Sequence, residues 1–335
     1  MKKIQFSKLT FDKKEEEAAI KCMRSGWVVL GPKTEEFEEK FAKYVGSKYA
    51  VFVNSGTAAL DLSLRAVNYG PVIKIPSFTF VSDAEILYHQ HQAIDFVDVD
   101  ENTLCVEKRT KDCLPTNFAG NLAGAKGRVI DSCHRIEKND VKKRPDSLWC
   151  YSFYATKNMS TVQGGMIALN NEKRYKWLKM ARDHGITKGT KQRYQGKNPF
   201  YDIKFPGWRV KSDDVAASIG IEQLKKLPKI TKERNRVVAR YNKNLGLNRV
   251  GNHLYYIFVV KRAKFIEEMY DKGIQCSVHF RPIHTLSAYK CRDVNLPVTE
   301  KAYNHIVSIP LFPQLTDKEV DYISKQVLIS NKLIK

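Results

Sequence analysis

A lysine in a run of small polar residues is the first candidate for chemistry in this sequence. Lys157 follows the strand-like residues 148–154 and precedes Gly164 and Gly165. A lysine among Ser, Thr, Ala and Gly is typical neither of a protein core nor of an exposed helix face. Because lysine is the side chain that forms Schiff bases with carbonyl compounds, we interpret Lys157 as a candidate nucleophile.

An anion site is predicted where the strand-like residues 49–53 end. Ser55 and Gly56 follow, and a helical pattern over residues 57–67 begins directly after them. The free N–H groups of a first helical turn, together with the helix dipole, bind anions, and a glycine lets a phosphate approach the backbone closely. The same residues also make an ordinary N-cap, so this motif alone decides nothing.

Asp131 is the third candidate, because it ends the short apolar segment 128–130. Proteins of the α/β class bind ligands at the carboxyl ends of their strands, and a buried carboxylate there needs a cationic partner. A simple helix cap gives the same pattern. In chain order, however, a phosphate loop, a carboxylate and a lysine are the three anchors of a pyridoxal phosphate site: phosphate cradle, partner of the pyridinium nitrogen, and Schiff-base lysine.

Alternating elements must position these anchors. Strand-like segments lie at residues 49–53, 72–75, 93–100, 128–130, 148–154 and 166–169, with helical or loop segments between them. This alternation favours an α/β fold in which helices cover a mostly parallel sheet.

The C-terminal third has a different order of predicted helices and strands. A helix over residues 213–227 should end at Pro228, and a second helix follows over 230–245. Strand-like residues 254–260 and 274–279 and helical residues 264–272 and 317–331 come next. We therefore predict a large domain over residues 1–230 and a smaller α+β domain over residues 231–335.

Over nearly its whole length the chain resembles the DegT/DnrJ/EryC1/StrS family, sugar-nucleotide aminotransferases of the aspartate aminotransferase fold (fold type I). The matching segments, in the order of the family, are residues 25–27, 31–32, 35–38, 54–60, 76–81, 96–100, 130–131, 152–166, 214–224, 279–284 and 288–289. Each motif is of moderate specificity, and the ordered set is far more specific than any one of them. The resemblance implies a three-layer αβα large domain with a mostly parallel sheet, and a smaller C-terminal α+β domain.

The resemblance also implies roles in binding pyridoxal 5'-phosphate (PLP), with pyridoxamine 5'-phosphate (PMP) as the intermediate form and no metal. Lys157 corresponds to the lysine that carries the cofactor and later acts as acid and base in the proton shift. Asp131 corresponds to the partner of the pyridine nitrogen, His134 to a contact of the ring or its 3-oxygen, and Phe80 to the aromatic side chain stacked on the ring. The phosphate contacts implied are Gly56, Thr57, Ala58 and Ser152.

Two positions depart from the family pattern. Lys211 stands where many relatives carry an Asn that reaches the cofactor phosphate of the neighbouring subunit, and Asn117 stands where relatives often carry His. A lysine either binds that phosphate as a point charge or turns to the substrate diphosphate. The substrate-binding residues implied by the resemblance are Trp27, Asn117, Arg209, His279, Arg281 and His284.

The chain is strongly basic, with a net charge of +21 over 335 residues. Residues 171–245 hold 20 Lys or Arg against 7 Asp or Glu. Such runs are usually solvated helix faces, but they also attract anionic ligands. No nucleic-acid-binding module, membrane-spanning apolar run or signal peptide is recognisable. The seven cysteines form no C-x-x-C pair, as expected of reduced thiols in a cytoplasmic protein.

The resemblance implies ping-pong transfer of an amino group, typically from glutamate, to a nucleotide-linked keto sugar, most often a 4-keto-6-deoxy sugar. It also implies a homodimer with shared active sites. A 3-keto sugar aminotransferase and a cyclitol aminotransferase are alternatives within the family, whereas its dehydratases carry His in place of the lysine. A non-catalytic regulatory or nucleic-acid-binding homologue is an alternative of another class, and it predicts that the cofactor anchors are eroded.

Overall fold

The computed structural model describes residues 3–189, 193–194, 199–290, 293–330 and 333–334. Its strands are β1 Tyr49–Val53, β2 Val72–Pro76, β3 Ala93–Val97, β4 Val129–Asp131, β5 Leu148–Ser152, β6 Gly165–Leu169, β7 Tyr255–Phe258 and β8 Ile306–Ile309. Its helices are α1 Lys13–Arg24, α2 Pro32–Val45, α3 Gly56–Ala66, α4 Ser82–His89, α5 Glu172–Ala181, α6 Asp214–Leu245, α7 Arg262–Asp271, α8 Pro297–His305 and α9 Asp317–Ser330.

Segments that are distant in sequence group into two units. Unit 1 contains residues 1–8, 71–126 and 228–335, and unit 2 contains residues 9–70 and 127–227. The end of unit 2 at residue 227 lies near the expected boundary at residue 230, while residues 71–126 group with the C-terminal segment. The division into domains 1–230 and 231–335 stays a prediction.

Unit 2 is built on a four-stranded sheet in the order β1-β6-β5-β4. Strand β6 is antiparallel to both β1 and β5, whereas β4 is parallel to β5. The sheet is therefore mixed, with β6 as its one opposed strand, because β5 returns into β6 through residues 153–164 without the helix that a parallel connection needs. Strands β1, β4 and β5 still point the same way, so their carboxyl ends lie at one edge.

Helices cover both faces of this sheet, because successive side chains of a strand point to opposite sides. The Cys150 thiol lies 3.2 Å from Ser63 Oγ in α3, while the next ring, Tyr151, packs on Phe41 of α2 with the centroids 5.1 Å apart. Helix α5 packs against both α3 and β1. Unit 2 thus has the three layers α, β and α, as expected.

Unit 1 contains two strand pairs, β2 with β3 in parallel and β7 with β8 antiparallel. One apolar core includes Tyr255 and Ile257 of β7 with Phe265 of α7. The predicted strand over residues 274–279 is absent: Ile274 forms one isolated bridge to Ile4, and Ser277 forms another to Ser308. The segment changes partner between these residues, so no continuous ladder forms.

Helix α6 continues through Pro228, so the prediction that a helix ends there was wrong. Proline removes one backbone hydrogen bond and crowds the preceding turn, at a cost of about 3 kcal/mol. Leu224, Leu227 and Ile230 on either side of the proline are all buried. Burial of this apolar stripe offsets the local cost, a tertiary effect that the proline signal does not report.

Candidate active site

The three predicted anchors lie at one edge of the unit 2 sheet. Strand β1 leads into the start of α3, Asp131 is the last residue of β4, and Ser152 is the last residue of β5, five positions before Lys157. Because these strands run in the same direction, their carboxyl ends place the three segments side by side, where α/β folds bind ligands.

The start of α3 is the segment predicted to bind the cofactor phosphate. Ser55 caps the helix, its Oγ accepting a hydrogen bond from the Ala58 N–H at 3.0 Å. A Cβ on Gly56 would lie 2.8 Å from Ser152 Cβ and 3.0 Å from Cys133 Sγ, so only glycine allows this approach. Thr57 is exposed at the first turn of α3, and the N–H groups at the start of a helix favour binding of an anion such as phosphate.

Asp131 is buried, with 5% of its surface exposed. Its Oδ1 accepts a hydrogen bond from the Cys133 N–H at 2.8 Å. Burial raises the pKa of the Asp131 carboxyl, while the Cys133 hydrogen bonds and the Lys157 charge oppose the rise. A carboxylate with so little compensation from the protein is suited to a cationic ligand atom, such as a protonated ring nitrogen.

Lys157 lies in a turn that its backbone N–H closes on Tyr154 O at 2.9 Å. Burial lowers the pKa of its ammonium group, and the nearby Cys133 and Asp131 partly counter this shift. A lowered pKa increases the fraction of neutral amine, which is the form that attacks a carbonyl carbon.

Cys133 is a site residue that the sequence analysis missed. Its thiol touches the position where a Gly56 side chain would stand. Burial, with the Asp131 charge adding to it, raises the pKa of Cys133 well above its ordinary value. The thiol is therefore a neutral packing group between the start of α3 and the Asp131 carboxylate. The position of Cys133 two residues after Asp131 was the sequence signal that could have identified it as a site residue.

Ser152 and His134 are both buried beside these anchors, with 8% and 6% exposed. Ser152 Oγ accepts a long hydrogen bond of 3.4 Å from the Tyr154 N–H, which leaves the hydroxyl hydrogen for another acceptor. Their roles toward the phosphate and the ring stay predictions.

The segment carrying Arg209 and Lys211 pairs with the carboxyl end of β1, on the side of that strand opposite β6. The Asn54 N–H donates to Val210 O at 2.9 Å, and Val53 bridges to Lys211. Arg209 is exposed. Lys211 Nζ forms an ion pair with Asp183 Oδ2 at 2.8 Å within the same chain, a partner that sequence reasoning did not find.

A buried ion pair, Arg182 with Glu38, forms hydrogen bonds with the backbone of β1 on this same side of the strand. Arg182 Nη1 donates to Phe52 O at 2.7 Å and contacts Glu38, whose Oε1 accepts from the Phe52 N–H at 2.8 Å. The Val210 N–H donates to Arg182 O at 3.0 Å. The charged side chains of Arg182 and Glu38 thus bind the Phe52 N–H and C=O groups that a neighbouring strand would otherwise bind. Phe52 lies three residues before Ser55, which caps the start of α3.

The remaining predicted contacts lie in unit 1, apart from Trp27. Phe80 is 56% exposed and packs on Phe280, with centroids 5.9 Å apart. His279 stacks on Phe6 at 5.3 Å and its Nδ1 lies 3.0 Å from Ser308 Oγ. The structure therefore groups Phe80 and His279 around one partly exposed aromatic cluster.

The other unit 1 positions differ in exposure. Arg281 is exposed, whereas Asn117 and His284 are buried. Asn117 Oδ1 accepts from the Ala123 N–H at 2.9 Å, which closes the turn that follows it. Substrate binding by these residues stays a prediction.

Trp27 lines a cavity of about 690 Å³ in unit 2 that is bordered by α1, α2 and the start of α6. Its indole lies against Gly31, where a Cβ would fall 1.8 Å from Nε1. The role of Trp27 toward a substrate also stays a prediction.

Neither a metal cluster nor a membrane-spanning helix is present in the described part of the chain. No cluster of three or more His, Cys, Asp or Glu side chains there is arranged to hold a metal ion. Among the same residues, no helix combines the length and the apolar character that crossing a bilayer requires.

The geometry fits PLP on three counts: an amide-lined helix start closed against Ser152, a buried carboxylate, and a half-buried lysine. A family model agrees with it. Residues 10–125 and 144–328 match the model of the DegT/DnrJ/EryC1/StrS aminotransferase family. The chain belongs to this family. It is accordingly a PLP-dependent aminotransferase.

Relatives of the DegT/DnrJ/EryC1/StrS aminotransferase family match the chain almost end to end. The spore coat polysaccharide biosynthesis protein SpsC of Bacillus subtilis is 32% identical over 94% of both chains. The PMP form of Spr1654 from Streptococcus pneumoniae is 25% identical, with a TM-score of 0.86 over 97% of this chain and 98% of its own. Helicobacter pylori PseC, an aminotransferase involved in pseudoaminic acid biosynthesis, is 21% identical and shares the fold, with a TM-score of 0.88 over 98% and 99% of the chains.

Proposed function

We propose that this protein transfers an amino group from glutamate to the carbonyl carbon of a keto sugar carried on a nucleotide diphosphate, with a 4-keto-6-deoxy sugar as the favoured substrate. The observation that carries the chemistry is the grouping of Lys157, Asp131 and the Gly56 cradle at one sheet edge. SpsC is named for polysaccharide biosynthesis and PseC for pseudoaminic acid biosynthesis, which supports a sugar acceptor.

Each anchor has a distinct task in this proposal. The N–H groups at the start of α3 hold the cofactor phosphate, and Ser152 adds a hydroxyl donor. Asp131 keeps the cofactor ring nitrogen protonated by charge attraction. When bound, PLP acts as the electron sink that makes carbon–hydrogen bond cleavage feasible. Lys157 Nζ then removes and returns the proton as a general base and acid.

The basic charge of the chain suits an anionic acceptor. Residues 171–245 hold the largest excess of Lys and Arg, and Arg209 lies exposed near the end of β1. In unit 1, Arg281 is exposed as well. A guanidinium group binds phosphate or carboxylate oxygens through two parallel hydrogen bonds, so both arginines are proposed substrate contacts.

The proposal includes a homodimer with shared active sites and a cytoplasmic location. The segment that carries the exposed Arg209 and the largely buried Lys211 is the proposed contact to the cofactor phosphate of the partner. Six cysteines of the described residues are free thiols, in keeping with a reducing compartment.

A coupled assay tests the function. The purified PLP-loaded protein is incubated with glutamate and a panel of 3-keto and 4-keto sugar nucleotides, and 2-oxoglutarate formation is measured. The 4-keto-6-deoxy substrates should give the largest kcat/KM. Turnover confined to 3-keto sugars, or to a keto cyclitol added to the panel, would contradict the proposed acceptor.

A matched pair of lysine variants controls this assay. Lys157→Ala should abolish both turnover and the visible absorbance of the bound cofactor, since it removes the reactive amine. Lys173→Ala, on the exposed face of α5, should change neither. Native mass spectrometry or light scattering measures whether the active species is a dimer.

A further inference from the structure

A buried serine and a buried histidine clamp one segment of unit 1. Ser77 directly follows β2 and is fully buried, and His284 is 5% exposed. Ser77 Oγ lies 2.7 Å from His284 Nδ1 and accepts a hydrogen bond from the His284 backbone N–H at 3.2 Å. The Ser77 carbonyl accepts from the Ile283 N–H at 2.9 Å. Three hydrogen bonds therefore join this one serine to residues 283 and 284.

These contacts decide the tautomer of His284. Because Ser77 Oγ already accepts the backbone N–H, its own hydrogen needs an acceptor, and a buried hydroxyl without one is costly. Nδ1 at 2.7 Å is that acceptor, at a distance typical of an O–H donor. The ring proton of the neutral imidazole therefore sits on Nε2.

Nε2 faces a carboxylate on α8. Glu300 Oε1 lies 3.5 Å from Nε2, on the side to which the ring proton points. Asp98, which directly follows β3, caps α8 by accepting from the Val298 and Thr299 N–H groups at 2.9 and 2.8 Å. Both ring nitrogens of His284 thus have a partner: Nδ1 contacts Ser77, which follows β2, and Nε2 contacts Glu300 of α8, the helix that Asp98 caps from the end of β3.

The clamped segment carries an exposed arginine. Arg281 Nε and Nη2 donate to Thr285 Oγ1 and Thr285 O at 3.2 and 2.9 Å. The Thr285 N–H in turn donates to Pro282 O at 3.0 Å. Arg281 is thereby held on residues 282–285, which Ser77 fixes, and its guanidinium faces solvent.

The place of this segment points to ligand binding. Ser77 and Asp98 mark the carboxyl ends of two parallel strands, the edge at which α/β sheets bind ligands. The exposed ring of Phe80 and the half-exposed ring of Phe280 pack together beside it. An arginine and aromatic surfaces suit an anionic, ring-containing molecule.

We propose that Ser77 and His284 are positioning residues that fix Arg281 for binding the anionic group of a substrate, and that His284 itself does not contact substrate. The proposal rests on the proposed function and deepens it. The anionic group is a carboxylate or a phosphate, and the two sources are distinguished by their ligands: glutamate supplies the first and a nucleotide diphosphate the second.

The tautomer is tested by nitrogen NMR of the PLP-loaded protein labelled with ¹⁵N-histidine. The His284 signal, assigned from its loss in His284→Asn, should show a protonated Nε2 and an unprotonated Nδ1. A protonated Nδ1 would overturn the proposed hydrogen-bond direction.

Variants separate the two sides of the histidine. In His284→Asn the amide oxygen stands near the position of Nδ1 and still accepts from Ser77, whereas in His284→Gln the amide reaches toward Glu300 instead. Affinity for glutamate is read from the cofactor absorbance change, and affinity for UDP and dTDP by calorimetry. Ser77→Ala, His284→Gln and Arg281→Gln should weaken the same ligand class about tenfold, while His284→Asn stays within about threefold.

The outcomes are decisive in either direction. One result would overturn the proposal: Ser77→Ala and His284→Gln have lower melting temperatures but bind both ligand classes as the wild type does. The contacts between Ser77 and His284 would then be purely structural. A loss in Ser77→Ala that Arg281→Gln does not share would also overturn it. These affinities need no turnover, so a wild-type protein that aminates no keto sugar would refute the proposed function without affecting this test.

Discussion

Lys211 Nζ lies 2.8 Å from Asp183 Oδ2, and the two side chains are only 13% and 12% exposed. The charge that replaces the neutral Asn of many relatives is therefore already paired within its own chain. The pair also sits where Asp183 bridges to Arg209 and Lys211 bridges to Val53. The substitution at position 211 thus comes with a compensating carboxylate 28 residues earlier in the sequence.

Breaking this pair should cost stability. Lys211→Asn and Asp183→Asn each leave one largely buried charge without its partner, and we expect a loss of about 2 kcal/mol, between the values for exposed and fully buried pairs. Urea denaturation of both variants and the double variant measures it, and the double variant should lose less than the sum. Lys204→Asn, which breaks an exposed pair with Asp202 at 2.7 Å, is the control and should leave the midpoint unchanged.

Variants of this pair also report on the cofactor. If Lys211 binds the partner's cofactor phosphate, Lys211→Met, which has neither a charge nor a hydrogen-bond donor, lowers PLP affinity. Asp183→Asn, which releases the ammonium group, preserves or raises it. Fluorescence titration of the cofactor-free protein with PLP measures both. Equal losses in the two variants would instead assign the pair to stability alone.

Asp131 should make the cofactor-free protein sensitive to pH. Its pKa is raised in the folded state, chiefly by burial, so the unfolded state loses the proton first as pH rises through about 3.9. Folding stability contributed by this group is therefore highest at low pH and falls as pH rises above that value. Asp131→Asn should abolish turnover yet melt at a higher temperature than the wild type at neutral pH.

Thermal melts of the cofactor-free proteins between pH 4 and pH 8 measure the difference. The gap between variant and wild type should narrow as pH falls toward 4, because the wild-type carboxyl then begins to bind its proton in the unfolded state as well. A gap that is constant over this range would contradict the assignment.

Gly56→Ala should damage the phosphate cradle. Its Cβ would meet Ser152 Cβ at 2.8 Å and Cys133 Sγ at 3.0 Å, and overpacking of this kind costs about 1–3 kcal/mol. We expect at least a tenfold loss of PLP affinity with the fold retained, measured by titration and circular dichroism. Gly70→Ala is the matched control, because no heavy atom lies within 4 Å of its Cβ position.

Glu38→Gln should be strongly destabilising. Burial raises the pKa of Glu38, but the charges of Arg182 and Lys179 outweigh it and leave the pKa below its ordinary value. The variant leaves Arg182 buried without its counter-ion, at a cost of about 3 kcal/mol, read from the urea midpoint. In the wild type this contribution is present above about pH 4.3 and is lost as pH falls.

Glu36→Gln provides the comparison on the same helix. Glu36 pairs with Lys33 and Lys40 and is 34% exposed, so its loss should cost at most about 0.5 kcal/mol. If the two variants lose similar free energies of unfolding, the burial of the ion pair between Glu38 and Arg182 does not contribute to stability.

Local signals in the sequence were enough to place the anchors. The strand over residues 49–53 is confirmed as β1, Asp131 ends β4, and Lys157 follows β5. These predictions hold because short apolar runs, a capping serine and a glycine act within a few residues of the chain. The ordered set of such motifs also identified the family.

Tertiary structure decided what no local pattern carries. Ser77 meets His284 across 207 residues, and Arg182 meets Glu38 across 144; such partners depend on which elements pack together. The antiparallel return of β6 depends on the path of residues 153–164, and the passage of α6 through Pro228 depends on the apolar stripe buried on either side. Sequence spacing determined which chemical groups stand at the strand ends, while long-range packing determined which of them are buried, paired and held in place.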